Sequence, residues 1–278
     1  MHRNSDKLET TTIKKFQNKI YSYYKKNKRD FPWRKSLNPY RILVSEIMLQ
    51  QTQVKRVAEK FPQFIKAFPN FKSLAQASLT EILRAWQGMG YNRRALFLKK
   101  IAEIVIRDYK GKLSDNDETL KKLPGIGPNT AASICAFAFN KPTIFIETNI
   151  RSVFIHEFFS DKKIISDKDI FPLVEQTMDI RNPREWYSAL MDYGTMIKST
   201  HGNPNIKSRH YARQSAFKGS NREIRGSILK LLTNHNTLTK GQIIKKLGDD
   251  PARIQKILQQ LSDEDMIFNF NSTYSLEK

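Results

Sequence analysis

The chain has 278 residues, enough for one large domain or two, and its 48 Lys and Arg against 27 Asp and Glu give a net charge of +21. This excess exceeds what solubility requires and predicts a polyanionic partner, most often a nucleic acid. The single cysteine, Cys135, excludes an intrachain disulfide and any metal site built from several cysteines. We expect a packed thiol, because Cys135 lies in the small and apolar stretch AASICAFAF.

Targeting signals are not evident in the sequence. No run of about 18 apolar residues predicts a membrane helix, and the first residues, MHRNSDKLET, lack the apolar core of a signal peptide. We therefore expect a cytoplasmic protein without membrane contact, associated with the nucleoid if the source is prokaryotic. Residues 219–278 hold nine Lys and Arg against seven Asp and Glu, a net charge of +2. The first 218 residues carry the remaining +19, so the polyanion is expected to bind mainly there.

Helical periodicity runs through most of the chain and predicts an all-α protein. The helices predicted before residue 198 lie at about 9–28, 39–51, 54–68, 78–86, 92–109, 116–122, 128–139, 148–159, 167–178 and 183–197. A basic loop is predicted next, since KSTHGNPNIKSRHYARQSAFKGSN has five Lys and Arg and no acid. Three short helices at about 221–234, 239–247 and 250–262, followed by two strands around 269–272, are typical of a winged helix. The predicted domains are therefore 1–197, a linker 198–220, and 221–278.

A helical hairpin is predicted where residues 123–134 read LPGIGPNTAASI. Gly125 and Gly127 allow a tight turn with close backbone approach, and Pro128 suits the first position of the second helix. Backbone N–H groups at that helix start can bind a phosphate oxygen. An ordinary helix–helix turn is the alternative, but the charge of +21 favours contact with a DNA backbone.

This hairpin resembles the helix-hairpin-helix of the endonuclease III and MutY superfamily of DNA glycosylases. Three further stretches resemble the same superfamily in order and spacing: FPWRKSLNPYRILVSEIMLQQTQV at 31–54, GMGYNRRA at 88–95 and WYSALMDYGTMI at 186–197. The resemblance covers about residues 12–197 and is closest to MutY-type adenine glycosylases. It implies a two-lobed all-α fold, a monomer that acts on double-stranded DNA in base excision repair, and excision of adenine mispaired with guanine or 8-oxoguanine.

Two carboxylates carry the chemistry that the resemblance implies. Hydrolysis of a base–sugar bond needs a neutral acid for the leaving base and an ionised carboxylate beside the positive sugar. Glu46 matches the family's acid, and burial in an apolar helix should raise its pKa. Glu147, in TIFIETNIR, stands where the family has an aspartate, and Asn149 matches an assisting asparagine. From the residues alone, Glu147 is also compatible with a helix-entry carboxylate favoured by the helix dipole.

The resemblance assigns roles to further residues. Asn129 stands where bifunctional members have a lysine nucleophile, so we expect no strand cleavage. Base flipping requires groups that enter the stack and a pocket for the base. The residues that match these groups are Gln50, Gln51 and Gln53 as duplex probes, Tyr91 as a wedge, Gly125, Gly127, Asn129 and Thr130 in the hairpin, and Trp33, Arg34 and Asp192 in the adenine pocket. A core tryptophan and surface glutamines are the alternatives.

The family's iron–sulfur loop should begin near Lys198, where this chain has no cysteine. We therefore expect no iron–sulfur cluster and no other metal, and we expect the basic loop 198–218 to face DNA instead. Two alternatives remain open. One is a glycosylase for mismatched thymine or uracil, or for hypoxanthine. The other is a non-catalytic DNA-binding protein, for which Glu147 in place of aspartate is the sequence support.

Overall fold

Helices form nearly all of the regular structure, which confirms the all-α prediction. The computed structural model describes residues 7–214 and 216–277. The helices in chain order are α1 (Thr10–Asn27), α2 (Pro39–Leu49), α3 (Val54–Ala67), α4 (Phe71–Gln76), α5 (Leu79–Trp86), α6 (Arg93–Asp108), α7 (Asp117–Leu120), α8 (Pro128–Phe139), α9 (Thr148–Phe158), α10 (Asp167–Thr177), α11 (Pro183–Thr200), α12 (Asn221–Asn234), α13 (Lys240–Leu247) and α14 (Pro251–Asp263). Short 3-10 turns lie at Pro32–Lys35 and Pro204–Lys207.

The chain divides into two compact units. The first contains residues up to 42, 114–122 and 126–213, and the second contains 43–113, 123–125 and the chain from 214 onwards. None of the helices in the described part of the chain is long and apolar enough to cross a membrane. The signal-peptide expectation concerns residues 1–10, of which 1–6 lie outside the described residues.

The core of the first unit forms where α9 and α11 pack side by side, with α1, α8 and α10 around them. Phe154, Trp186 and Leu190 are fully buried there. Phe16 of α1 meets Trp186 edge to face, with ring centroids 5.8 Å apart. This packing holds the start of α9, and with it Glu147, against α11.

The second unit builds its core from α3 to α6. Phe64 of α3 packs edge to face against Trp86 of α5, with ring centroids 5.7 Å apart, and both side chains are buried. The C-terminal helices belong to the same unit, because α12 packs on α5. Arg84 of α5 donates a hydrogen bond to the carbonyl of Thr233 at 3.4 Å.

The C-terminal helices carry a small antiparallel sheet, as a winged helix requires. Its strands are β1 (Thr237–Thr239), β2 (Phe268–Phe270) and β3 (Thr273–Ser275), in the order β1-β3-β2. Leu238 of β1 pairs with Tyr274 of β3, and both side chains are buried. The two strands predicted around 269–272 are β2 and β3. Strand β1 was not predicted, because three residues are too few to show an alternation of apolar and polar side chains.

Several helix ends differ from the prediction by up to three residues, and one helix was not predicted. Helix α4 was not predicted, although Asn70 and Ser73 form a capping box at its start. Helix α7 ends at Leu120 rather than at about 122, because the chain turns there towards Gly125. Helix α11 continues to Thr200, three residues beyond its predicted end.

Candidate active site and nucleic-acid interface

The hairpin between α7 and α8 depends on Gly125. Its φ of +76° is a left-handed conformation, and a Cβ there would lie 2.3 Å from the Cδ2 atom of Phe97. Gly127 caps α8, Pro128 occupies its first position, and both Gly127 and Asn129 are exposed. N–H groups in the first turn of a helix have no partner within the helix. This exposed helix start has the geometry that binds an anion.

The hairpin helix is tied to the segment that carries Glu147. The side-chain amide of Asn129 donates to the carbonyl of Ile146 at 3.2 Å. Thr130, the next residue of α8, is partly buried. The first turn of α8 therefore lies beside the entrance of α9, although residues 130 to 146 separate the two sites in sequence.

Glu147 is the N-cap of α9, and its carboxylate is held by three hydrogen bonds. Oε1 accepts from the backbone N–H groups of Asn149 at 2.8 Å and Ile150 at 3.0 Å. Oε2 accepts from the side-chain amide of Asn149 at 3.1 Å. The carboxylate is only partly buried, so a ligand can reach a group whose position is fixed. Glu147 and Asn149, which the sequence analysis paired, are in direct contact.

Two residues of α11 support this pair. The hydroxyl oxygen of Thr195 lies 3.4 Å from Oδ1 of Asn149 and 2.9 Å from the carbonyl oxygen of Met191, so its single proton is shared between these two acceptors. Gly194 lies against the backbone of Asn149, and a Cβ there would be 2.3 Å from the Asn149 carbonyl oxygen. Close packing of α9 on α11 therefore sets the position of the Glu147 carboxylate.

The residues predicted to line a base pocket form a buried ion-pair network. Asp192 is 2% exposed, and Arg34 binds its two oxygens at 2.9 Å each. Arg29 adds its Nε at 2.6 Å and its backbone N–H at 3.0 Å. Trp33 is buried and stacks on Phe31 with ring centroids 4.9 Å apart. The Asp192 carboxylate is thus committed to two arginines, and direct contact of these residues with a base stays a prediction.

Glu46 lies on the second half of α2, whose neighbouring residues Ser45, Ile47 and Met48 are buried. Its own side chain is only partly buried, so the expected apolar enclosure is incomplete. Glu46 therefore retains access to a ligand. Its role as an acid stays a prediction.

Arg94 connects the loop after α2 with the GMGY turn. Its guanidinium is buried and donates to the carbonyls of Ile47 at 2.9 Å and Met48 at 2.8 Å. It also donates to the carbonyls of Gln50 and of Gly90, the latter at 3.1 Å. Burial lowers the pKa of Arg94 to about 10, so the group remains charged at neutral pH. One buried cation thus fixes two loops that the sequence analysis assigned to DNA contact.

The glutamines of the loop after α2 differ in their surroundings. The amide of Gln50 donates to the carbonyl of Gly125 in the hairpin at 3.3 Å. Gln51 has a positive φ of 53°, and both Gln51 and Gln53 are exposed. Gln50 is therefore held by the protein, whereas Gln51 and Gln53 face solvent as probes of a duplex would.

The segment after α11 is held within the first unit by side-chain hydrogen bonds. The buried side chain of Asn205 donates to the carbonyl of Thr148 at 3.1 Å, next to Glu147, and to the hydroxyl of Ser152. Lys198 is partly buried, and burial lowers the pKa of its ammonium group. Among the described residues, no three His, Cys, Asp or Glu side chains gather as a metal site needs. A four-cysteine cluster does not fit a chain with one cysteine.

Cys135 is the packed thiol that its apolar surroundings predicted. It is buried in α8, and its sulfur donates to the carbonyl of Asp115 at 3.4 Å. Burial raises the pKa of the thiol to about 11. A thiol with so small a thiolate fraction is unreactive at neutral pH.

The sequence analysis missed Arg29, Arg94, Gly194 and Thr195. Arg94 is spaced at i, i+4, i+7 and i+11 with Leu98, Ile101 and Val105, so helical periodicity places it on the buried face. Gly194 falls on the buried face of α11, where a glycine indicates close backbone approach. Arg29 and Thr195 have no comparable signal.

A family model described as HhH-GPD superfamily base excision DNA repair protein matches residues 44–176. Over these residues the chain is similar to the helix-hairpin-helix superfamily of base excision DNA repair proteins, and its hairpin and helical fold agree with that similarity. A solved structure titled as a thermostable thymine-DNA glycosylase aligns with a TM-score of 0.61 and 27% identity, covering 71% of this chain and 92% of that chain.

Curated relatives are named adenine DNA glycosylase. The chain is 35% identical over 190 residues to that of Buchnera aphidicola subsp. Baizongia pistaciae, covering 67% of this chain and 54% of the relative. It is 29% identical over 274 residues to that of Mycolicibacterium smegmatis, covering 87% of this chain and 89% of the relative. The chain spans about half the length of the Buchnera relatives it matches.

Proposed function

We propose that this protein is a monofunctional DNA glycosylase that excises adenine mispaired with guanine or 8-oxoguanine from double-stranded DNA. The observation that carries the proposal is the Glu147 carboxylate, held at the entrance of α9 and accessible to a ligand. Similarity to adenine DNA glycosylases, including one matched over 89% of its length, supports adenine as the excised base.

The proposed reaction divides the work between two carboxyl groups. Glu46 gives its proton to the departing adenine as the bond between C1′ and the base breaks. Glu147 stabilises the positive sugar, and a water oxygen then bonds to C1′ while the water proton passes to the Glu46 carboxylate, which restores the acid. The fixed orientation of Glu147 is an advantage, because a preorganised charge needs no rearrangement at the transition state.

The other site residues serve binding in this proposal. The exposed start of α8 binds a phosphate of the DNA backbone, while Gln51 and Gln53 contact the duplex. Asn129 offers an amide instead of an amine, so no Schiff base forms and the strand stays uncut. The protein acts as a monomer without an iron–sulfur cluster.

Excision of thymine from T:G is the second candidate. It is supported by the 27% identity and TM-score of 0.61 with the thymine-DNA glycosylase structure. The two candidates share the carboxylate chemistry and differ in the base that is read.

The test is single-turnover excision on duplexes containing A:8-oxoG, A:G, T:G, U:G and hypoxanthine:T. We expect abasic sites from the two adenine mispairs and no strand cleavage before alkali treatment. Glu46→Gln should bind an uncleavable duplex normally but lose about a hundredfold or more in rate, the usual contribution of general acid catalysis. Preferred excision of thymine would replace adenine as the substrate, and near-normal excision by Glu46→Gln would remove Glu46 from the mechanism.

A further inference from the structure

The GMGY turn holds Tyr91 in an uncommon backbone conformation. Its φ is +46°, a left-handed value that bulky residues rarely adopt. Gly88 and Gly90 before it also have positive φ, of 85° and 68°. Such a conformation persists only where the surroundings enforce it. Arg94 supplies part of that enforcement, because its guanidinium binds the carbonyls of Met89 and Gly90 at 3.3 and 3.1 Å.

The Tyr91 side chain is held from the C-terminal part of the chain. Nη1 of Arg222 donates to the Tyr91 hydroxyl at 2.9 Å, and the side-chain amide of Gln214 donates to the same oxygen. Two cations also lie close to the ring. The guanidinium carbons of Arg222 and Arg94 are 5.6 and 5.5 Å from its centroid, within the range of cation–π attraction.

Arg222 comes from a rigid element. It lies in the first turn of α12, which Ser220 caps and which buries Ile224 and Ile228. Arg253 of α14 fixes the approach to this turn, since it donates to the carbonyl of Gly219 at 2.7 Å and to Oδ1 of Asn221 at 2.8 Å. The donor that reaches Tyr91 is therefore anchored in the packed C-terminal helices.

The cluster borders an open cleft within the second unit. Its lining includes Gln51 and Gln53, the GMGY turn, the exposed Phe217 and Lys230 of α12. The residues assigned as duplex probes, Tyr91 and the C-terminal helices thus line one cleft.

We propose that Arg222, assisted by Gln214, is a positioning residue that orients Tyr91 for insertion into the space left by an extruded base. This inference rests on the proposed function as a DNA glycosylase. It gives the C-terminal helices a defined task, which is to hold the wedge. Removing the Arg222 contacts frees the Tyr91 side chain, and misplacement by about 1 Å can cost up to a hundredfold in rate.

Base extrusion is the decisive measurement, because it precedes the chemical step. A duplex with 2-aminopurine at the target position reports unstacking by fluorescence, and single-turnover excision from A:8-oxoG is measured alongside. Arg222→Ala and Tyr91→Phe should each lower the extrusion rate about tenfold, the loss expected for one charge-assisted hydrogen bond. The double variant should lose clearly less than the product of the two single losses, since both substitutions remove the hydrogen bond from Arg222 to the Tyr91 hydroxyl.

Two controls separate positioning from charge and from stability. Arg225→Ala removes the same charge from the same helix, where the guanidinium pairs with Glu264, and should extrude as wild type. Arg222→Lys keeps the charge without the planar fork and should resemble Arg222→Ala. If Arg222→Ala has a lower Tm than wild type, the extrusion rate of Tyr91→Phe is used to judge the positioning role. This variant keeps the ring and removes only the hydroxyl that Arg222 contacts.

The outcomes distinguish this inference from the proposed function. The positioning role is overturned if Arg222→Ala extrudes the base as fast as wild type. It is also overturned if the two single losses multiply in the double variant, and both conclusions hold even if adenine is excised. If Arg222→Ala and Tyr91→Phe slow extrusion and their losses do not multiply in the double variant, but no adenine is excised, the positioning role is sustained and the proposed function is overturned. Failure of the wild type to extrude any base overturns both.

Discussion

Glu147 shows how one side chain serves as a helix cap and as a candidate catalytic carboxylate. Its Oε1 satisfies two backbone N–H groups of α9, which would otherwise have no partner within the helix. Glutamate is not among the preferred N-cap residues, which have shorter side chains. Glu147 is therefore a helix-entry carboxylate, the alternative that the residues alone allowed. This role does not exclude catalysis, because the same contacts fix the carboxylate in space.

Glu147→Gln separates the two roles. The amide oxygen can still accept the two N–H groups of α9, but the amide nitrogen cannot accept from the Asn149 side chain, so Tm should fall modestly, by the loss of one hydrogen bond and of a charge–dipole interaction worth about 0.3–1 kcal/mol. Single-turnover excision should fall at least about a hundredfold, because the positive sugar loses its counter-charge. Glu147→Asp keeps the charge and should retain a substantial part of the rate.

A matched control exists at α14. Asp250 also caps its helix through two backbone N–H groups, with Oδ2 accepting from Arg253 N at 3.0 Å and Oδ1 from Ala252 N at 3.3 Å, so Asp250→Asn likewise loses one hydrogen bond and the charge. Asp250→Asn should lower Tm to a similar extent and leave excision unchanged. Equal excision by Glu147→Gln and wild type, with equal binding to an uncleavable duplex, would show that Glu147 is only a cap.

Gly194 is a residue whose importance follows from packing alone. Gly194→Ala places a methyl group 2.3 Å from the Asn149 carbonyl oxygen, so α9 must move away from α11. We expect a loss of about 1–3 kcal/mol in the free energy of unfolding, together with slower excision, because Asn149 and Glu147 move with the helix. Denaturant unfolding and single-turnover kinetics test both effects.

The control for this substitution is Gly241→Ala in α13, where a Cβ would meet no atom within 4 Å. A helical alanine is more stable than glycine, so this variant should be as stable as wild type or more so. Normal stability of Gly194→Ala would contradict the close approach of the two helices.

At the scale of elements, the segment after α11 combines anchored and exposed basic residues. Lys207 donates to the carbonyl of Ser160 at 2.7 Å, and Ile165 exchanges backbone hydrogen bonds with Lys207 and Arg209 on the same segment. The side chains of Arg209 and Arg213 are exposed. The segment is thus attached through its backbone and Lys207, while two arginines remain available to a polyanion.

Neutralising Arg209 and Arg213 together should weaken the salt dependence of duplex binding. Each phosphate contact contributes about 0.9 to the slope of log affinity against log salt, so Arg209→Gln with Arg213→Gln should reduce that slope by about 2 units. Fluorescence anisotropy at several salt concentrations measures it. The exposed pair Lys25 and Lys26 of α1, changed to Gln, controls for total charge. Identical slopes in both double variants would mean that the segment does not contact the DNA backbone.

At the scale of the whole molecule, the C-terminal helices are integrated into the second unit. Besides the Arg84 bond to Thr233, Lys100 of α6 pairs with Asp265 at 2.9 Å. The side chains of this pair are 39% and 65% exposed, so the ion pair itself contributes little stability. Packing of α12 on α5 therefore provides the main attachment.

Hydrogen exchange should show α12 and α5 opening together. Ile228→Ala creates a cavity in α12 that costs about 2–5 kcal/mol, and amides of α5 should lose protection by the same free energy as those of α12. The exposed substitution Lys230→Ala, on the same helix, should leave both unchanged. Loss of protection confined to α12–α14 would show that these helices unfold separately from α5.

The sequence by itself determined the helical architecture and the candidate motifs. Helical spacing, the Pro-Gly pattern of the hairpin and the turn before β3 depend on local preferences, which a single chain displays directly. For this reason α8 and α12 begin and end where they were predicted. Glu147 and Asn149 are in contact because both belong to one helix entrance.

Only the tertiary structure decided which distant residues meet. Asp192 binds Arg29 and Arg34, the guanidinium of Arg94 binds the loop after α2, and Arg222 binds Tyr91. These contacts join residues 42 to 163 positions apart in the sequence. Local propensity carries no information about such partners, because the contacts form only when packed helices bring their side chains together. The same reason explains why a glycine is needed at position 194: the backbone of another helix leaves no room for a Cβ there.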